Sequence, residues 1–465
     1  MNSPFGLRRL WSAAALLALC ALSAAASANP YEHTLQNGLK LIVKEDHRAP
    51  TAVHMVWYRV GSIDEVNGTT GVAHALEHMM FKGTPGVGPG EFNRLVADAG
   101  GRDNAFTSHD YTAYFQQIPK EVLPEMMRLE ADRMRHLTLA PEDFAPEIKV
   151  IMEERRMRTE DQPSALLYEQ MNAVAFQAHP YRRPIIGWMN DLENMNAADL
   201  RAWYDRWYEP NNAYVVVVGD VAHEEVFRLA EQYYGALSAR PLPQRKPQEE
   251  PEQRGIRRVT VKAPADLPML FMAYKAPVLR DVEKDVMPYA LEMLSAILDG
   301  HDAARFPKHL VKERRIAVSA GSGYSSTSRG PGLFMLDASP AEGQSVADLE
   351  TALRAEIARI QQEGVEAGEL ARARAQLIAS ETYKLDSMFA QAMEIGQLEA
   401  AGLPCTQQRR IIEKLEAVSA EQVRAAARLL QDDVLTVAVL DPQPLPQSGP
   451  RPATVSPSAL NGALH

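Results

Sequence analysis

Cysteine is almost missing from this 465-residue chain, which has only Cys20 and Cys405. Cys20 lies in an apolar stretch near the start, so loss of that stretch would leave one thiol and no internal disulfide. The fold must then be held by burial of its core. Positive charge is also in deficit, with 49 Lys and Arg against 60 Asp and Glu and a formal net charge of −11. That balance argues against nucleic acid and anionic membrane surfaces as partners, which require basic patches. Glycine-rich phosphate loops are absent, and with them the signature of nucleotide-binding α/β proteins.

Long apolar runs are scarce too. The exception covers residues 12–26, follows Arg8 and Arg9, and ends at Ala26-Ser27-Ala28. It is shorter than the ~20 residues that span a bilayer and has the layout of a secretory leader cleaved after Ala28. Leu19, before Cys20, is larger than the small residue that lipid attachment uses, so no membrane anchor is expected. The mature protein is therefore expected to be exported, and without Arg8 and Arg9 its charge is two units more negative.

A chain of this length is too long for one core. It divides near a Pro-rich, charged segment over residues 240–256, expected to be a semi-extended linker. Both halves begin with alternating strand patterns, Leu39 to Val43 and Val259 to Lys262, each followed by a second apolar strand and then a helical stretch. Their ends correspond as well, a helical segment preceding the strands at Tyr214 to Val218 and Leu435 to Val439. An internal repeat of two α+β domains follows, over residues 29–239 and 257–441, with a leader over 1–28 and a disordered tail expected over 442–465.

The chemistry concentrates in His74-Ala75-Leu76-Glu77-His78. On a helix, positions four apart stack, so both imidazoles can meet one metal ion while Glu77 reaches a water beside it. Apolar neighbours on both sides would bury the segment, and burying two imidazoles with a carboxylate is costly unless a metal pairs them. The order H-x-x-E-H is that of inverted zincins rather than the thermolysin type. Hydrolytic zinc sites have three protein ligands, so one more carboxylate is needed. Glu147, Glu153 and Glu154 lie on a predicted helix with Val150, Ile151 and Met157 on its apolar stripe. Glu147 and Glu154 share a face two turns apart, whereas Glu153 points about 100° away, toward solvent or an arginine. Spacing alone does not choose among the three.

The block from Gly71 to Thr84 resembles the zinc helix of the pitrilysin/insulinase peptidases, especially bacterial relatives of the mitochondrial processing peptidase catalytic subunit. The resemblance extends to about Asp441. It implies one Zn²⁺ per chain, held by His74, His78 and Glu154, with Glu147 as a companion behind the ligands and Glu77 as general base. It also implies an active-site edge strand within the block from Gly100 to Tyr114, where Asn104, Ala105, Phe106 and Thr107 would align a peptide substrate by backbone hydrogen bonds. The bacterial relatives point to the periplasm. The implied fold is α+β, two homologous mixed α/β-sandwich domains forming half of a clam-like peptidase chamber.

The second half carries no metal motif, since His301 and His309 lack partners at ligand spacing. In the resembled family an arginine and a tyrosine from that half help bind substrate, and this chain has Val311 and Val318 there. A homologous second subunit supplying the pair is therefore expected, with a homodimer using Arg305 or Arg314 as the alternative. A non-catalytic assembly or scaffold subunit on the same fold is the competing function. Such relatives typically lose a ligand or the glutamate base, and this chain keeps them all.

Overall fold

The computed structural model describes residues 30–445. The expected leader and residues 446–465 of the expected tail lie outside the described residues. Two mixed sheets organise the molecule. The first contains β1 (Tyr31–Thr34), β2 (Lys40–Glu45), β3 (Thr51–Tyr58), β4 (Arg102–Thr107), β5 (Thr112–Pro119) and β6 (Ala213–Gly219), in the order β1-β2-β6-β3-β5-β4. The second contains β7 (Arg257–Pro264), β8 (Met269–Ala276), β9 (Ala317–Gly323), β10 (Gly332–Pro340) and β11 (Leu435–Gln443), in the order β7-β11-β8-β10-β9.

The two sheets share one topology. β2 runs parallel to β6 as β7 does to β11, and the remaining pairs in both sheets are antiparallel. The expected repeat is thus a structural one, with β1 as an extra strand on the first sheet. β6 is buried along its whole length, which explains its unbroken run of valines: an interior strand covered on both faces has no polar side.

One face of the first sheet, including Val56, Tyr58 and Tyr114, packs on Leu76 and Met79 of the helix Val72–Met79, here called the motif helix. In the second sheet, Leu270, Met272 and Phe334 pack on Leu291, Leu294 and Ile297 of the helix Met287–Asp299. The opposite faces are covered by exchange. Helix Met388–Ala400 comes from the second half of the chain and lays Ala392, Met393 and Ile395 on Val53, Met55 and Trp57 of the first sheet. Helix Pro163–Ala175 comes from the first half and lays Leu167 and Met171 on Val261, Phe271 and Ala273 of the second. Each half therefore lends a helix to the other.

Several expectations change in detail. The block from Gly100 to Tyr114 is not one strand; β4 and β5 form a hairpin through residues 108–111, and only β4 lies at the sheet edge. On the helix Pro141–Arg155, Ile151 is fully buried but Val150 is 53 % exposed, and Met157, in the widened turn Arg156–Glu160, is 61 % exposed. The apolar stripe is narrower than the sequence suggests because only one side of this helix meets the core. The linker carries neither helix nor strand but is pinned. Arg245 Nε donates to Asp64 at 2.6 Å, and Glu250 accepts the backbone N–H groups of Gln177, Ala178 and His179 at 2.8, 2.9 and 3.0 Å. At the far end β11 continues to Gln443, so residues 442 and 443 of the tail expected to be disordered belong to a strand.

Candidate metal centre

The motif helix starts at Gly71, whose φ of 87° suits glycine and whose missing side chain allows the backbone of Ile186 and Gly187 to approach. Glu65, buried, accepts the N–H groups of Gly71 and Ala73 at 2.9 Å each and so satisfies two free donors of the first turn. Val72, Ala73, Ala75, Leu76 and Met79 point into the core. His74, Glu77 and His78 are left half-buried on the remaining face.

Glu154, in the last turn of Pro141–Arg155, meets both histidines. Its Oε2 lies 3.8 Å from His74 Nε2 and 3.4 Å from His78 Nε2. Two ligands of a tetrahedral zinc with bonds of about 2.0–2.1 Å stand roughly 3.3 Å apart, so this donor set fits zinc with little adjustment. His78 Nδ1 meets Glu147 Oε1 at 2.8 Å; with its proton there, Nε2 is free to coordinate. Lys82 holds the other oxygen of Glu147 at 2.5 Å, and Arg158 holds Glu154 Oε1 at 3.0 Å. His74 Nδ1 is buried and has no hydrogen-bond partner among the described residues. Glu153 is exposed and pairs with Arg156 at 3.0 Å, away from this cluster.

The electrostatics suit metal chemistry. Burial, reinforced by the neighbouring His78, lowers the pKa of His74 to about 4 and keeps its imidazole neutral. For His78, burial pulls the pKa down, but hydrogen bonds to Glu154 and Glu147 leave it raised overall. The His78 contact holds Glu154 low, and Glu147 stays low because Lys82 and His78 outweigh its burial. Glu77 goes the other way: burial raises its carboxyl to about 7, against a hydrogen bond from Thr107 Oγ1 to its Oε2. A carboxyl near neutrality can both take and give a proton.

β4 carries the four residues expected to meet substrate. Asn104, Ala105, Phe106 and Thr107 pair with Phe115, Tyr114, Ala113 and Thr112 of β5, while the other backbone edge of β4 faces no strand among the described residues. Asn104 is exposed and the other three are half-buried. The direct contact between Thr107 and Glu77 was not legible in the sequence, and neither was Glu65. A carboxylate six residues before a helix start was the one available hint. In the second half, Val318 on β9 is 57 % exposed and Val311 is partly buried. Arg305 is buried and doubly bonded to Glu369 at 2.9 and 2.8 Å, which removes it from the residues free to hold a peptide; Arg314 remains exposed.

Two sheets of one topology, with an H-x-x-E-H helix under the edge strand of only the first, define a peptidase-type architecture. Residues 40–188 match the family described as Insulinase (Peptidase family M16), and residues 194–377 match the Peptidase M16 inactive domain. The chain belongs to this family of peptidases, the pitrilysin/insulinase group. It is 36 % identical over 330 residues to the zinc protease PqqE of Helicobacter pylori, covering 68 % of this chain and 72 % of that one. Among solved structures it resembles a protease from Helicobacter pylori, with a TM-score of 0.84, 28 % identity and coverage of 89 % and 99 %. A peptidase M16 inactive domain from Pseudomonas fluorescens shares the fold, with a TM-score of 0.80, 19 % identity and coverage of 90 % and 100 %.

Proposed function

We propose that this chain is an exported zinc metalloendopeptidase that hydrolyses peptides or unfolded protein segments, as the catalytic subunit of a two-chain peptidase. The observation that carries the proposal is the convergence of His74 Nε2, His78 Nε2 and Glu154 Oε2 beside Glu77, next to the free edge of β4. When bound, one zinc ion supplies Lewis acidity that polarises the scissile carbonyl and acidifies water.

The chain's own residues do the rest. The outer edge of β4, over Asn104 to Thr107, takes an extended peptide by backbone hydrogen bonds, which grips diverse sequences without reading their side chains. Glu77 accepts a proton from the attacking water as its oxygen bonds to the carbonyl carbon. As the C–N bond breaks, the same carboxyl passes that proton to the departing amine. Thr107 fixes the orientation of Glu77 toward β4, and Glu147 fixes the ring of His78. The leader expected over residues 1–28 would carry the chain out of the cytoplasm, the likeness to bacterial relatives favours the periplasm, and the mature domains span 29–239 and 257–441. Among the described residues no helix is long and apolar enough to cross a membrane.

The second subunit is supported by what the second half lacks. Val318 stands exposed where the family places a substrate-binding residue, and Arg305 is committed to Glu369. A homologous chain would supply the arginine and tyrosine; a homodimer would have to rely on Arg314. The deciding experiment is cleavage of a mixed peptide pool by the purified chain, alone and with a co-expressed homologue lacking the motif. Zinc is assayed in parallel. One zinc per chain with chelator-sensitive cleavage is expected, and a metal-free, inert chain in both arms overturns the proposal in favour of a scaffold.

A further inference from the structure

The turn over residues 108–111 begins directly after Thr107, the residue that touches Glu77. Within the first sheet it is closed by Ser108 N–H to Tyr111 O at 2.8 Å and bound to the preceding loop by Ser62 N–H to Ser108 O and Ile63 N–H to His109 O, at 3.2 and 2.9 Å. From the other half of the chain, the loop between β9 and β10 reaches across and takes hold of the same turn. Arg329 Nη1 donates to the carbonyl of Asp110 at 3.0 Å and to Asp64 Oδ2 at 2.9 Å, and Nη2 donates to Asp64 Oδ1 at 3.3 Å. The Arg329 backbone N–H donates to Asp110 Oδ2 at 2.9 Å. Tyr181 completes the contact, its hydroxyl donating to Asp110 Oδ1 at 2.5 Å and accepting from Gly330 N–H at 2.8 Å.

The clamp is braced on both sides. Arg280 Nη2 donates to the carbonyls of Arg329 and Gly330 at 3.0 and 2.9 Å, bracing the loop within the second domain. Gly330 lies so close to the rings of His179 and Tyr181 that a Cβ there would stand 2.6 Å from Tyr181 Cε2. Asp64 is further held by Arg245 of the linker. By contrast, among the described residues β4 has strand pairing on one side only, so the end of β4 nearest the metal centre depends on its turn for placement.

We infer that Arg329 is a positioning residue for substrate: through Asp64 and Asp110 the metal-free domain holds the β4–β5 turn, and with it the strand on which the peptide lies. This inference rests on the proposed peptidase function. A peptide that pairs along the whole of β4 exploits that order. A short peptide that spans only the scissile bond does not.

The test is Arg329→Ala, read by steady-state kinetics on a long and a short peptide and by amide hydrogen exchange. For the long peptide KM should rise about tenfold, the size expected for losing a charged hydrogen-bond pair, with kcat within about twofold. The short peptide should be unaffected and the zinc content unchanged. Exchange should accelerate over residues 102–112 while the motif helix keeps its protection. Arg329→Lys, which keeps the charge but cannot form the fork, should give the same length-selective rise in smaller measure, and it serves as the test if the alanine variant does not fold. An equal change for both peptides, no change for either, or faster exchange throughout the first sheet overturns the inference. The kinetics are run on this chain together with the co-expressed homologue; should the wild-type pair cleave no peptide, the proposed function fails, and the exchange pattern still decides whether Arg329 orders β4.

Discussion

The two halves use one strand topology and differ in what fills the connection between the second strand and the edge strand. Between β3 and β4 lies the motif helix with its polar face of His74, Glu77 and His78; between β8 and β9 lies Met287–Asp299, most of which is buried apolar surface. Even the pKa pattern is partly shared. Glu292 on the second helix is pushed by burial to about 7, as Glu77 is, yet its neighbours are Ser326, Glu381 and Lys384 and not histidines. A carboxyl raised by burial is therefore common to both halves. Among the described residues the convergence of His74, His78 and Glu154 distinguishes the first, so the proposed function rests on a few side chains grafted onto a repeated frame.

The comparison breaks most readily at Glu77. Glu77→Gln should lower peptide hydrolysis by about 10²–10⁴-fold, the usual worth of a general base, with zinc retained, whereas Glu292→Gln should leave turnover unchanged. Equal losses from both substitutions, measured as kcat/KM, would erase the distinction between the halves. Next in size, Glu147→Gln should weaken zinc binding by about 10–100-fold and Glu154→Gln by more, while Glu153→Gln should match wild type in a competitive chelator titration.

The exchanged helices sharpen the comparison in terms of stability. Leu167 and Ile395 are both buried, one on each borrowed helix. Leu167→Ala should cost about 2–5 kcal/mol in urea unfolding, and Ile395→Ala a similar amount. Gly396→Ala should cost about 1–3 kcal/mol, because a Cβ there would collide with the ring of the fully buried Trp57. A large cost on one side and none on the other would show that the exchange is lopsided.

The smallest effect is set by pH at the linker. Burial would raise the Glu250 pKa, but the N–H groups of Gln177 and His179, together with Lys275, bring it down to about 2, below its ordinary value near 4.5. A folded-state pKa below the unfolded one adds stability above the unfolded pKa, and that stability is lost as pH falls from about 4.5 toward 2. Urea midpoints measured across that window should fall for the wild type and fall less steeply for Glu250→Gln.

Much of this organisation was legible from residue patterns. The strands at Leu39 to Val43, Tyr214 to Val218 and Leu435 to Val439 are apolar enough to declare themselves, and they appear as β2, β6 and β11. The motif helix was legible because three chemical groups sit at helical spacing. What escaped was set by partners distant in sequence. Val150 and Met157 have the hydrophobicity of core residues but lie on a helix side that nothing covers. Arg329 looks like an ordinary loop arginine until Asp64, 265 residues earlier, is brought beside it. Thr107 gave no sign of its contact with Glu77, because that contact depends on how the β4–β5 hairpin lies over the motif helix.

The borrowed helices also bear on what a protease nick would do to this molecule. A break in the strap over residues 240–256 would separate two pieces of backbone, but each piece would still have a helix inserted into the other's sheet, with Leu167 and Met171 on one side and Met393 and Ile395 on the other. The fragments would stay interlocked and migrate as one particle until denatured. Neither piece expressed alone would have a cover for the outer face of its own sheet, so each would be sticky and poorly soluble, and the two would recover by being made together.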